Sequence, residues 1–170
     1  MVRLCRLKSA SVIGAMIDRA MIELLDHLSE SVAIQIHEVF QLSYKVEARL
    51  VGIDDFPPLR RSASLIQSSG SQFLGLRIGE DLAAVLEFSK VGEDLSIDSV
   101  VVHPRYFRRG LASQLLQSIL ARGAWRSACV ETAAANNPAL ELYRKFGFSE
   151  SKRWTTADGI EKVRLRSVAE

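Results

Sequence analysis

Residues 100–114 read VVVHPRYFRRGLASQ, and this stretch restricts the fold more than any other. The β-branched run 100–102 predicts a strand, and His103-Pro104 stops it because proline offers no N–H to a ladder. A loop with Arg105, Arg108 and Arg109 follows, then Gly110. From Leu111 the apolar residues Leu115, Leu116, Ile119 and Leu120 recur at helical spacing until Gly123. A strand that enters a helix through a short basic loop aims backbone N–H groups and the positive end of the helix dipole at one spot, which suits a phosphate. Taken alone, the same residues also describe an ordinary turn with solvated arginines. The loop has neither the Gly-Lys-Ser/Thr of a P-loop nor the Gly-x-Gly-x-x-Gly of a dinucleotide site.

Periodicity around this unit predicts a mixed α/β domain. A short strand is expected at 2–7, an amphipathic helix at 11–28, and a second helix at 31–43 with Val32, Ile36, Val39, Phe40 and Leu42 inward. Residues 45–59 read as irregular, closed by Pro57-Pro58, and 61–69 as a short helix. Runs 73–78 and 82–89, joined at Gly79-Glu80-Asp81, predict a hairpin, and 95–102 adds its third strand. The helix at 111–122 precedes a strand at 126–132. A helix at 138–146 follows, with Asn137 as cap and Pro138 at its first position; strands at 148–155 and 160–166 end the chain. This order implies an antiparallel meander plus one parallel crossover between 95–102 and 126–132, with flanking helices. We expect one domain over 1–170, with 1–28 as a helical extension and the informative core at 72–166.

Composition narrows the function. A chain of 170 residues with 48% hydrophobic and 25% charged residues suits one globular domain. The net charge of +2, with no basic block, argues against nucleic acid. Cys5 and Cys129 form no disulfide framework or zinc spacing, and His27, His37 and His103 are scattered, so no metal is expected. No apolar run reaches the roughly 18 residues of a membrane span, and no clear secretory pattern opens the chain. A cytoplasmic protein, monomeric or homodimeric, is the expectation.

The second informative stretch is 131–148, ETAAANNPALELYRKFGF. Asn136 stands just before a helix. Tyr143 shares a helix face with Ala139, Leu142 and Phe146, which fits either a packed core tyrosine or a reactive one. Glu131 is at a strand end, either solvated or functional. Together, HPRYFRRGLA and NNPALELYRKFGF resemble the two signature segments of the GNAT superfamily of acetyl-CoA-dependent N-acetyltransferases. The first resembles that family's pyrophosphate loop (Gln or Arg, two residues, Gly, one residue, Gly or Ala), with Phe107 where the polar residue usually stands. The second matches at Asn136, Ala139, Leu142, Tyr143, Gly147 and Phe148.

The resemblance implies acetyl-CoA as co-substrate and an amine as acceptor. It places Ser99, Val100 and Val101 along the pantetheine arm and Phe107, Arg108, Arg109, Gly110, Leu111 and Ala112 around the pyrophosphate. Asn136 is implied to hydrogen-bond the pantetheine and Tyr143 to sit near the sulfur. In the subset that acetylates protein N-termini, including ribosomal-protein alanine N-acetyltransferases, a glutamate precedes the tyrosine by twelve residues, and Glu131 has that spacing.

The implied reaction is direct attack of the amine on the thioester. A backbone N–H at 99–101 polarises the carbonyl, Tyr143 protonates the thiolate, and Glu131, through water, takes the amine's proton. Asp98 and Glu87 are weaker candidates for that proton. Deprotonating an α-amine of pKa about 7.7 at pH 7 costs about 1 kcal/mol, against about 4.6 for a lysine. An α-amine or small amine therefore suits a carboxylate base, and Glu47, Asp54 and Asp55 near the acceptor loops favour a cation. The alternative is a non-catalytic acyl-CoA-binding sensor of the same fold.

Overall fold

The computed structural model describes residues 20–123 and 125–169. Seven strands form one sheet: β1 (Ala20–Leu24), β2 (Gln72–Ile78), β3 (Asp81–Val91), β4 (Asp94–Val102), β5 (Ser127–Ala133), β6 (Ser149–Thr155) and β7 (Glu161–Val168), in spatial order β1-β2-β3-β4-β5-β7-β6. The helices are α1 (Glu30–Val51), α2 (Ala63–Gln67), α3 (Leu111–Ala121) and α4 (Asn137–Lys145), with single 3-10 turns at Pro57–Arg60 and Pro104–Tyr106. The meander, the crossover and the final hairpin match the sequence reading. β4 and β5 are the parallel pair.

The central strand explains why the sheet needs helices on both faces. Leu82 to Phe88 of β3 are all buried, a continuous run that only a doubly covered strand shows. On one face Ile36, Phe40 and Ile66 of α1 and α2 pack against Phe73, Val85 and Val101. On the other, Leu111, Leu115 and Leu116 of α3 and Leu140 of α4 pack against Leu74, Leu86, Ile97 and Val130. Each fully buried leucine stabilises the fold by about 1.5–3 kcal/mol.

Three expectations need correction. Residues 20–24 form an edge strand, not the end of a helix; they pair with β2 in register Ala20↔Ile78 to Leu24↔Leu74, and Glu23 anchors them to Arg77 at 2.6 Å. Their apolar spacing is helical, but the ladder supplies the backbone partners. Residues 25–28 are also non-helical and lead by a turn into α1, while residues 11–19 of that predicted helix, and the strand at 2–7, lie outside the described residues.

The second helix does not stop at Ser43. Ala48 continues the inward face, and the helix ends at Gly52, whose left-handed φ of 71° lets its N–H reach the Ala48 and Arg49 carbonyls. Finally, α4 is capped by Asn136, not Asn137: its Oδ1 accepts from the Ala139 N–H at 3.2 Å, and Pro138 falls one position inside the helix start.

The feature that positions the site is a ladder that stops. β4 and β5 pair only from Asp94↔Ser127 to Ile97↔Val130. Asp98 is then an extra residue, since Ile97 opposes Phe88 and Ser99 opposes Glu87. This bulge bends β4 away. Residues 99–102 keep β3 on one side, residues 131–133 keep β7, and a cleft opens between them.

Candidate active site

Two cavities occupy this cleft. One, of about 540 Å³, runs along Val100 and Val102 to the loop 107–112. The other, of about 410 Å³, lies between the Phe56-Pro57-Pro58 segment, Ser99, Glu131 and the β6–β7 turn. Glu47, Val100, Asn136, Ala139 and Tyr143 line both.

The first cavity is built mainly from backbone and apolar groups. Gly110 caps α3 in a left-handed conformation, φ 73°, and offers no side chain to the helix. The first helical bond is donated by Gln114, so the N–H groups of Leu111, Ala112 and Ser113 make no hydrogen bond among the described residues. A Cβ at Gly110 would meet nothing within 4 Å, so the space before these donors is open. Arg108 is the only described non-glycine residue with positive φ, 61°, and it lines the cavity. A left-handed arginine costs about 1–2 kcal/mol, which the loop's surroundings must offset. Phe107 also lines it and is 38% exposed. Arg109 lines neither cavity; its guanidinium lies 5.5 Å from the Tyr106 ring centre.

Val100 faces the cleft, whereas the Val101 side chain is buried in the opposite core, as strand alternation requires. Ser99 lines the second cavity, and its hydroxyl is 2.8 Å from the Tyr44 hydroxyl.

The second cavity is polar. Tyr143 is 4% exposed; burial pushes its phenol up, and the charges of Glu47 and Tyr44 push it further. It therefore stays protonated at neutral pH. Glu47 is partly buried, and desolvation raises its pKa against the opposing effects of Asn136 and Lys162. Asn136 Nδ2 donates to Glu47 Oε1 at 2.9 Å, so both ends of this amide have protein partners. Glu131 faces the same cavity but is held from β7: Arg164 Nε donates to it at 2.9 Å, and Lys162 Nζ lies 3.6 Å away.

The weaker proton acceptors separate. Asp98 lines the cavity and accepts from Ser96 Oγ at 2.7 Å. Glu87 lines neither cavity; it is 3% exposed and fully engaged by Arg61, at 2.6 and 2.9 Å. Asp54 and Asp55 do not line the site either, and Asp55 pairs with Arg60. Tyr44 and Glu47, by contrast, stand on α1 beyond the helix end expected at Ser43, and Glu47 falls in the 45–59 segment expected to be irregular. The signal was present: Ile36, Phe40 and Tyr44 stand four apart and continue through Glu47 and Ala48.

The acetyltransferase (GNAT) family model matches residues 35–148. The chain belongs to the GNAT acetyltransferase family. An N-alpha-acetyltransferase RimI of Mycobacterium tuberculosis is 28% identical over 130 residues, covering 72% of this chain and 82% of that protein. The UPF0157 protein YqkA of Bacillus subtilis is 33% identical over 141 residues, covering 82% of this chain; the chain spans 41% of that relative's length.

Among solved structures, the Escherichia coli ribosomal-protein-S18-alanine N-acetyltransferase superposes with a TM-score of 0.68 at 21% identity, covering 89% of this chain and 97% of the other. A PaiA N-acetyltransferase of Thermoplasma acidophilum in complex with coenzyme A gives 0.67 at 16% identity, covering 89% and 99%. These likenesses identify the GNAT fold, and the splayed β4–β5 pair is where this GNAT domain opens its cleft. No helix among the described residues is long and apolar enough to cross a membrane.

Proposed function

We propose that this GNAT domain transfers the acetyl group of acetyl-CoA to a primary amine, with both held in the cleft at once. The observation that carries this is Tyr143, a protonated phenol that lines both cavities where they meet. The residues present fit the co-substrate: an elongated apolar groove, an open strand edge, and an uncapped helix N-terminus beside Arg108.

Acetyl-CoA supplies an activated acyl group as a thioester. The open backbone of Ser99, Val100 and Val101 flanks the pantetheine arm, and an N–H there polarises the acyl carbonyl. Phe107 to Ala112 wrap the pyrophosphate through main-chain donors, with Arg108 adding charge. Asn136 keeps one amide N–H for the pantetheine. Tyr143 gives its proton to the departing sulfur. Four carboxylates, Glu47, Asp98, Glu131 and Asp158, line the acceptor side, and one of them takes the amine's proton; the family resemblance points to Glu131.

The acceptor is a cationic amine, such as a protein N-terminus or a small amine. Acidic lining favours it, and the relatives named for N-terminal and alanine acetylation support the N-terminal class. Thiol release from acetyl-CoA, measured against α-amino peptides, amino acids and polyamines, tests the proposal. Turnover with at least one amine is expected. Tight CoA binding with no thiol released by any amine would instead make the domain an acyl-CoA sensor.

A further inference from the structure

Among the described residues, Glu47 is the one carboxylate that lines both cavities. It stands near the end of α1, on the part of the helix that runs beyond Ser43 to Gly52. Its side chain crosses the cleft to the cap of α4, where Asn136 Nδ2 donates to it at 2.9 Å. The Ala139 N–H holds the other end of that amide, so the amide cannot turn and Glu47 is always offered a donor. Glu131 differs in kind. Arg164 donates twice to its Oε1 and Lys162 Nζ lies 3.6 Å from its Oε2, so its charge is already shared with two cations. Glu47 makes no ion pair among the described residues, so the oxygen not bound to Asn136 remains free for a proton from the cavity.

We propose that Glu47 removes the proton from the acceptor's ammonium, with Asn136 as its positioning residue. The proposal rests on the acetyl-transfer reading above and names the proton acceptor within it. The ammonium gives one proton to Glu47, which passes it to water. The nitrogen's second proton, shed as the C–N bond forms and the C–S bond breaks, replaces the one that Tyr143 gives the sulfur. One proton is released per turnover, and both side chains return to their starting states. Partial burial supports the role, because a carboxyl that prefers its neutral form is the stronger base.

Sharing the cavity with Glu47 are Tyr44 of its own helix, Tyr143 of α4, Asp98 of β4, Glu131 of β5, Asp158 of the β6–β7 turn and Lys162 of β7. The native state holds the Glu47 proton more tightly than the unfolded chain does. The stability this gives is complete below the unfolded carboxyl pKa and is lost as pH rises through the folded one. Glutamine carries no charge to bury, so a base role and a structural role separate in Tm.

The test uses Glu47→Gln, Glu47→Asp and Glu131→Gln, with the fastest acceptor from the amine panel. We expect Glu47→Gln to lower kcat/KM by about 100-fold or more at pH 6–7, the loss narrowing above the amine's pKa. Its Tm at pH 8 should equal or exceed that of the parent, the difference shrinking toward pH 4, and CoA should bind within about twofold of the parent by calorimetry. Glu47→Asp should restore part of the rate. The proposal is overturned if Glu47→Gln keeps the parent pH–rate profile while Glu131→Gln loses it. It is equally overturned if Glu47→Gln lowers Tm and CoA affinity in step with rate. If the parent binds CoA yet releases no thiol with any amine, the acetyl-transfer reading itself has failed, which the binding measurement distinguishes from a failure of Glu47 alone.

Discussion

The two cavities of the cleft are made by opposite means. The groove toward residues 107–112 borrows side walls from α1 and α4, but its anion-facing end is formed by neighbours in sequence: one strand, one loop and the first turn of one helix. Its polar groups are backbone donors that almost any side-chain set would leave in place. The cavity toward Glu131 draws on α1, the Phe56–Pro58 segment, β4, β5, α4 and the β6–β7 hairpin, and its polarity comes from side chains. A shared co-substrate can be held by geometry alone, whereas an acceptor must be recognised by chemistry that varies from protein to protein. Tyr143, Asn136 and Glu47 stand at the boundary, where the two kinds of construction meet.

Substitutions can break this division. Tyr143→Phe should have the largest effect, lowering kcat about 100-fold while CoA affinity changes less than about twofold; steady-state kinetics with calorimetry checks this, and an unchanged kcat removes Tyr143 from the acid role. Arg61→Met comes next. It leaves Glu87 buried without its cation and removes the ion pair that ties the chain just after the Pro57–Arg60 turn to β3. A loss of roughly 2–3 kcal/mol is expected, below the 3–5 of fully buried pairs because Arg61 still touches water. Denaturation should show it, and KM should rise for the acceptor more than for acetyl-CoA.

Gly110→Ala should do the reverse. Forcing a Cβ into φ 73° costs about 1–2 kcal/mol, which should weaken CoA binding about five- to tenfold in calorimetry and leave acceptor KM near the parent value. Phe107→Gln should give the smallest change. One polar contact regained is worth about 0.5–1.5 kcal/mol at most, so a CoA affinity improved about two- to threefold is expected.

The same division decides what was legible in the sequence. The strand–loop–helix at 100–122 and the capped helix at Asn136 are local: a Pro stop, a left-handed Gly and a polar cap are all written within a few residues. The open strand edge is not local. It arises from a bulge at Asp98 and from β7 taking the far side of β5, and neither leaves a mark in residues 95–102. The length of α1 was missed because Glu47 occupies an inward position where an apolar residue would have extended the pattern. That interruption marks the helix position that faces both cavities. β1 was misread for a different reason: its five residues satisfy helical and extended spacing equally, and only the partner strand decides.

The ladder that stops at Ile97 and Val130 has a mechanical meaning. Only four residue pairs join the half of the sheet carrying β1 to β4 to the half carrying β5 to β7. Past them the halves are braced by the Glu47–Asn136 bond rather than by backbone. The domain thus resembles a clothes-peg: a short spring at one end, two rigid jaws, and a small catch between them. The backbone edges past that point have no strand between them, so a ligand that paired with them would become part of the frame that holds it.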